Sequence, residues 1–402
     1  MNKSQKLLIL FSLTITTQQI TAGLEHSRGN PCSDALFTAL EEVNAIQNQL
    51  TNSSDTCAAT PISQVDFDLT QTYTITTPGN YCLTENCIGM IVINGSNVTL
   101  DLNGFDLSNF GELGFTAIII TGDYVTVKNG SVTAINPSHG GEHPRGIIFV
   151  NNSNYCTLQD LTINFCHDNI CTRSPTEFGM LLIESSNNVI VERVLAYSSG
   201  DANKSLNALS VTNFFVLDSL FNSNKSIIDS CSNILVSGCS FRNAAADFGL
   251  KCSSCTNLFI INSNALGNTS YGFTLDVGTN NFEIINCNAI ENKKDGIHVD
   301  SNCDNGIIDS CNALSNGSIV TVGSGFNVNG TGNTSIIVQN CDANNNTGFG
   351  FLSGTASVRF WNNAAINNNH GGGDYNIIAS GDPVLAIGDP NFAAGYNVAG
   401  VA

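Results

Sequence analysis

The sequence predicts an all-β protein, a right-handed parallel β-helix solenoid with a short N-terminal helical cap, and three observations carry that prediction. From about Asn188 onward the chain repeats itself. Glycines at 249, 272, 296, 325 and 350 fall at spacings of 23, 24, 29 and 25 residues, and asparagines at 243, 268, 292, 316, 346 and 368 form a second column. A period of this size marks one supersecondary unit per repeat, which buries its apolar side only by stacking on its neighbours. Within each unit, short runs rich in Ile, Val, Phe and Leu alternate with polar residues and are separated by Asn, Gly, Ser and Asp, the pattern of short strands with tight turns. Helical repeats need longer 3.6-period segments, and only 12% of the chain is charged. The fixed leucine spacing of a leucine-rich repeat is absent.

The elements follow in chain order. "MNKSQKLLILFSLTITTQQITAG" places Lys3 and Lys6 before an apolar run from Leu7 to Ile15, with small residues at Thr21-Ala22-Gly23. It reads as a signal peptide, residues 1–22, and directs the mature protein to a secreted or cell-surface location. No later stretch reaches the length of a membrane span. Residues 23–60 form an N-terminal segment in which Ser33 or Asp34 caps a helix over 33–50, with Leu36, Leu40, Val43 and Leu50 near a 4,3 spacing. That helix is expected to cover the open end of the solenoid; the alternative is a short coiled coil that makes a homo-oligomer. Residues 61–380 form the β-helix, and the Pro- and Gly-punctuated tail 381–402 covers its other end.

Formal charge is −19, and loss of Lys3 and Lys6 with the leader takes it to −21. An acidic chain without a basic run is a poor partner for nucleic acid or for an anionic membrane surface. The 15 cysteines raise the question of a disulfide framework. Several recur at one repeat position, where stacking makes them small buried side chains. The pairs placed to bridge are Cys82/Cys87, Cys166/Cys171, Cys252/Cys255 and Cys32/Cys57. The asparagine column is assigned two roles at once, left-handed backbone at coil corners and amide hydrogen bonds from coil to coil.

The glycine register sorts side chains by face. With Leu250, Phe273, Ile297, Phe326 and Phe351 inward, the next residues outward are Lys251, Thr274, His298, Asn327 and Leu352. Two residues further on stand Ser253, Asp276, Asp300, Asn329 and Gly354. The strip thus offers Asp276, His298 and Asp300 as candidate catalytic residues and Lys251, Thr274, Asn327 and Asn329 as ligand-binding residues. Two close carboxylates could serve acid–base catalysis on a glycan, or could ligate Ca²⁺ at Asp276 and Asp300. An exposed strand must carry polar residues in any case, so simple solvation is the plain alternative. Asp295 aligns with Phe248 and Tyr271 at the corner before the strand and is assigned to the scaffold. A second constellation, "NPSHGGEHPRG" at 136–146, gathers His139, Glu142, His143 and Arg145 on a loop whose prolines and glycines forbid a helix.

One passage carries a resemblance. Pro78-Gly79-Asn80-Tyr81-Cys82-Leu83, followed by Asn97-Val98-Thr99-Leu100-Asp101-Leu102-Asn103-Gly104, resembles the opening coils of secreted right-handed β-helix proteins with the pectate-lyase-like fold. With the repeats downstream, the resemblance covers about residues 65–380. It implies the fold and an outward strip facing an extended polysaccharide. It implies no single reaction, because the superfamily holds pectate lyases, polygalacturonases, epimerases, tailspikes and adhesins. The polygalacturonase motifs (N-T-D, D-D, G-H-G, R-I-K) are absent as a set, and none of Arg193, Arg242 or Arg359 falls in the strip. The expected role is therefore a surface protein that binds a glycan or a host surface without a required cofactor. A polysaccharide lyase or glycoside hydrolase and a structural assembly component are the alternatives.

Overall fold

The structure, a computed structural model, describes residues 59–109, 116–136, 146–167, 179–198, 204–222, 224–245, 247–318, 320–355, 357–368 and 375–377. The signal segment, the helix over 33–50 with its oligomer reading, and the tail 381–402 lie outside the described residues. Within them there is no α-helix, only a 3₁₀ turn at Gln64–Asp66, so the helical part of the predicted fold class finds no support.

What the repeat pattern predicts is present. Among the described residues, thirty-six strands form a 13-stranded and a 23-stranded sheet, and their pairs are parallel throughout. Phe273–Leu275, Asn280–Ile285 and Asn288–Ile290 make one coil, and Ile297–Val299, Asp304–Asp309 and Asn312–Leu314 make the next. Each strand hydrogen-bonds to its counterpart one coil away, which is the register of a parallel β-helix. The 23-stranded sheet supplies two faces, joined without a break where the long strands Val125–Asn136 and Asn154–His167 run through the corner. The 13-stranded sheet is the third face.

Alternation places the core inside the coils. Leu250, Phe273, Ile297, Phe326 and Phe351 are fully buried, and aromatic pairs such as Phe326–Phe351, 4.9 Å apart and nearly parallel, stack along the axis. The recurrence of glycine at this position has a steric cause. A Cβ on Gly296 would sit 2.8 Å from Asn316 Nδ2 and 2.8 Å from the Gly325 carbonyl oxygen.

The asparagines separate into different columns. Asn268, Asn292, Asn316, Asn346 and Asn368 point inward and form a ladder, Nδ2 of each donating to Oδ1 of the next at 2.8, 3.0, 2.9 and 2.8 Å. Each Nδ2 in the middle of this ladder also donates to a carbonyl of the preceding coil, as Asn292 does to Ala265 at 3.1 Å. These asparagines are not the left-handed ones. Asn243, placed with them by spacing, is one position out of register, since Ala244 N donates to Asn268 Oδ1. Asn243 instead stands at a left-handed corner (φ 53°), and other asparagines such as Asn233, Asn257 and Asn281 (φ 54°, 54° and 53°) line a separate left-handed corner. Their amides form an outer ladder of their own. Tyr124 and Tyr155 hold the same kind of corner earlier in the chain, both at φ 57°, with rings stacked 4.7 Å apart.

The disulfide expectation is corrected for the pairs Cys82/Cys87 and Cys252/Cys255. Cys82, Cys87, Cys252 and Cys255 are free thiols, as are Cys156, Cys231, Cys239, Cys287, Cys303, Cys311 and Cys341. Cys32, Cys57 and Cys171 lie outside the described residues. Several of the buried cysteines, Cys239, Cys255, Cys287, Cys311 and Cys341 among them, turn out to be hydrogen-bonding corner residues. Cys287 Sγ donates toward the Ile260 and Ile285 carbonyls at 3.4 and 3.3 Å, and Cys311 Sγ accepts from Cys287 N at 3.5 Å. One coil earlier Ser263 does the same with its hydroxyl, donating to Ile261 O and accepting from Cys239 N. Cysteine and serine are interchangeable there because each offers one donor and one acceptor in a small side chain.

A second buried layer has no counterpart in the sequence reading. Ile190, Phe215, Leu235 and Phe259 are in register on four coils and alternate with the inward residues, so they face outward. They are nevertheless shielded from solvent, at 5, 0, 0 and 1% exposure.

Candidate functional site

The outward column of the third face follows the predicted register. Lys251 pairs with Thr274, Thr274 with His298, His298 with Asn327 and Asn327 with Leu352. The inward partners on these strands are buried core residues, so the outward side chains are held on a stiff support. Successive positions are separated by the strand spacing of ~4.8 Å.

Asp276 and Asp300 leave the ends of their strands in equivalent ways. Asp276 N donates to the Cys252 carbonyl at 2.7 Å and Asp300 N to the Leu275 carbonyl at 2.8 Å. Their positions follow the paired Leu275 and Val299 on adjacent coils, and the Asp300 carboxyl lies close enough to Asp276 to influence its ionisation. Lys251 Nζ forms an ion pair with Asp276 Oδ2. Burial opposes ionisation of Asp276, but Lys251 and the Val277 N–H outweigh it and hold the group below the ordinary value of 3.8. Asp300 also accepts from the Ser301 N–H at 2.8 Å and its hydroxyl at 3.1 Å.

Asp295, assigned to the scaffold on spacing, lies directly against His298. It is buried, and its Oδ2 accepts from His298 Nδ1 at 2.9 Å and from Asn327 Nδ2 at 2.8 Å. Its Oδ1 accepts from Ser324 N at 2.6 Å. The residue sits three positions before His298, across Gly296, so the corner folds the carboxylate back beside the imidazole. The 29-residue spacing of the next coil carries an extra loop whose Thr321 hydroxyl donates to Lys293 O at 2.6 Å. That loop ends at Ser324 and delivers its N–H to Asp295. In the neutral tautomer that donates Nδ1–H to Asp295, Nε2 of His298 carries the lone pair, the arrangement a general base or a hydrogen-bond acceptor requires.

Tyr271, one coil before Asp295 in the same corner column, stacks on His298 with ring centroids 4.4 Å apart. Lys294 Nζ lies 4.9 Å from the Tyr271 centroid. Burial and the nearby Asp295, Asp300 and Asp247 carboxylates push the Tyr271 phenol above its ordinary value of 10. Beyond it, Lys225 pairs with Asp247 at 3.1 Å, and Lys225 and Lys251 each lie 5.7 Å from the Phe248 ring. Two polar atoms beside His298 are buried without a partner, Thr274 Oγ1 one coil before it and Asn327 Oδ1 one coil after.

The structure thus joins Lys251, Asp276 and Asp300 in one group and Tyr271, Asp295, His298 and Asn327 in another, with Thr274 in register between them. Asn329 stands apart, exposed, its amide oxygen in the space a side chain at Gly354 would fill. His139, Glu142, His143 and Arg145 lie outside the described residues. Among the described residues no group of three or more His, Cys, Asp or Glu side chains is arranged to hold a metal ion. The two residues that spacing missed, Tyr271 and Asp295, had one legible signal. Their column reads Phe248, Tyr271, Asp295, Ser324, Phe349, and a carboxylate among aromatics three residues from a histidine is out of keeping with a scaffold corner.

No protein-family model matches the chain, and no curated protein matches it in sequence. Solved structures that resemble it are parallel β-helix proteins of the pectate-lyase-like type. The exopolygalacturonase from Thermotoga maritima is 10% identical over 82% of this chain and 96% of that one, with a TM-score of 0.47. The Dettilon tailspike protein is 12% identical over 70% and 62%, with a TM-score of 0.44. The periplasmic alginate epimerase AlgG is 12% identical over 73% and 70%, with a TM-score of 0.39. At these levels the likeness concerns the fold, which the strand register defines independently.

Proposed function

We propose that this protein is an exported β-helix protein that binds an extended glycan along its third face, centred on His298. The observation that carries the reading is the register of Lys251, Thr274, His298 and Asn327. Four coils in succession present chemically different polar groups on one straight line, which suits a linear polymer lying along the solenoid axis. Export rests on the leader-like residues 1–22; among the described residues no helix is long and apolar enough to cross a membrane. Sequencing the N-terminus of protein recovered outside the producing cell is expected to begin at Gly23.

Binding is proposed to proceed without a cofactor. Lys251 already supplies the positive charge beside Asp276 that a Ca²⁺ ion at Asp276 and Asp300 would supply. Chelation with EDTA is therefore expected to leave glycan retention unchanged, and calcium-dependent retention would reinstate the carboxylate pair as a cation site.

A second reading, turnover of the bound polymer, is favoured by the Asp295–His298 pair, which fixes the imidazole with Nε2 as a base. A polysaccharide array scored for both retention and degradation separates the two. Retention without new reducing ends or unsaturated products supports binding alone. Turnover abolished by His298→Asn and reduced by Asp300→Asn supports the enzyme. An array that neither retains nor degrades any polysaccharide overturns both.

A further inference from the structure

We propose that the glycan held on this face is uncharged and rich in hydroxyls, a neutral polysaccharide instead of a polyuronate or a sulfated chain. The inference rests on the glycan reading above and adds the chemical class of the ligand. Two independent observations carry it.

The first is that three lysines along the face are already engaged. Lys225 is paired with Asp247, Lys251 with Asp276, and Lys294 lies over the Tyr271 ring. Recognition of carboxylate or sulfate groups uses unpaired donors of high charge, above all the arginine fork. The outward register from Ile227 through Lys251, Thr274, His298 and Asn327 to Leu352 contains no arginine. Asp276, Asp295 and Asp300 stand within this strip, and the whole chain carries −19. A polyanion would have to approach against that field and break an ion pair on arrival.

The second is the kind of polar atom left unpartnered. Asn327 Nδ2 is committed to Asp295 Oδ2, which fixes the amide with Oδ1 as the free end. Turning the amide over would set its oxygen against the carboxylate. Oδ1 is thus a buried acceptor without a donor. A carboxylate or sulfate oxygen cannot satisfy it; a hydroxyl or an N–H can. Thr274 Oγ1, also unpartnered and on a side chain only 6% exposed, can donate or accept. An unsatisfied buried polar atom costs about 1–3 kcal/mol, so a ligand hydroxyl that meets either atom once the covering side chains give way recovers part of that cost. A sugar hydroxyl is donor and acceptor together and matches both positions, on either side of His298.

The test is isothermal titration calorimetry on the full exported chain with oligosaccharides of matched length. The panel holds neutral glucans, mannans and galactans, the polyuronates alginate and polygalacturonate, and one sulfated galactan, each at low and high salt. The wild type is compared with Thr274→Val, which keeps the side-chain shape and removes the unpartnered hydroxyl, and circular dichroism confirms that the variant is folded. The expected result is binding of a neutral oligomer with little salt dependence, at least tenfold weaker binding of every polyanion, and a five- to tenfold loss in Thr274→Val. A polyanion bound more tightly than every neutral chain, with affinity falling as salt rises, overturns this inference and leaves the glycan reading standing. Neutral binding that Thr274→Val does not change overturns the placement of the hydroxyls. Failure to bind any member of the panel overturns the glycan reading itself.

Discussion

Asp295 organises the site from a position where only backbone geometry could reveal it. It receives hydrogen bonds from His298, Asn327 and the Ser324 N–H. Asp295→Ala removes all three acceptor contacts and leaves buried donors unmatched, a cost of about 1–3 kcal/mol in stability. Chemical denaturation is expected to show that loss, with glycan retention falling at least as far. Asp276 makes a prediction about pH. Its folded value lies below the ordinary 3.8, so its contribution to stability is fully present above that value and is lost as pH falls through the lower folded value. In Lys251→Met the folded value moves back up. Stability measured between pH 5 and pH 2 should therefore fall less steeply in the variant, and identical acid profiles would contradict the assigned ion pair.

At the scale of the element, the columns do the structural work. Asn292 accepts from the N–H and the amide of Asn268 and donates to Ala265 O and Asn316 Oδ1. Asn292→Ala leaves buried groups on both adjacent coils unmatched and is expected to cost about 1–3 kcal/mol or more. The same substitution at the exposed corner residue Asn286 should cost far less. The thiol columns predict chemical silence. Burial pushes Cys156, Cys239 and Cys303 up to about 12, so these groups should resist alkylation in the folded protein and react promptly in denaturant. The shielded outer layer gives the sharpest contrast. Phe215 points away from the coil interior, yet Phe215→Ala is expected to cost about 3–5 kcal/mol, as for a core phenylalanine. A loss below about 0.5 kcal/mol, usual for a surface position, would show that this face is open in solution.

For the molecule as a whole, the sequence made the fold and one side of the site legible, and physical reasons explain the division. Glycine spacing fixed the register from Lys251 to Leu352 because a strand alternates strictly and a one-residue slip would turn every side chain over. The pairing of Asp276 with Asp300 followed from that register. Asp295 did not, because corners obey no such alternation and Gly296 lets the chain turn the carboxylate back onto His298. The asparagines defeated a single-column reading for a related reason. One residue type satisfies two different needs, an amide ladder inside and left-handed backbone at the rim, and spacing alone cannot separate positions one residue apart. The cysteines misled through composition, since their hydrogen-bonding role at corners is shared with serine and leaves no signature of its own.

The central claim is that a linear glycan lies along the axis over four coils, and the dependence of affinity on ligand length tests it most directly. Affinity for a neutral oligosaccharide series should rise with each added sugar until the chain spans Lys251 to Asn327, ~15 Å at ~4.8 Å per coil, and then level off. His298→Ala should lower the plateau without moving its length. Affinity that is already maximal for a single sugar, or that His298→Ala leaves untouched, would contradict the account.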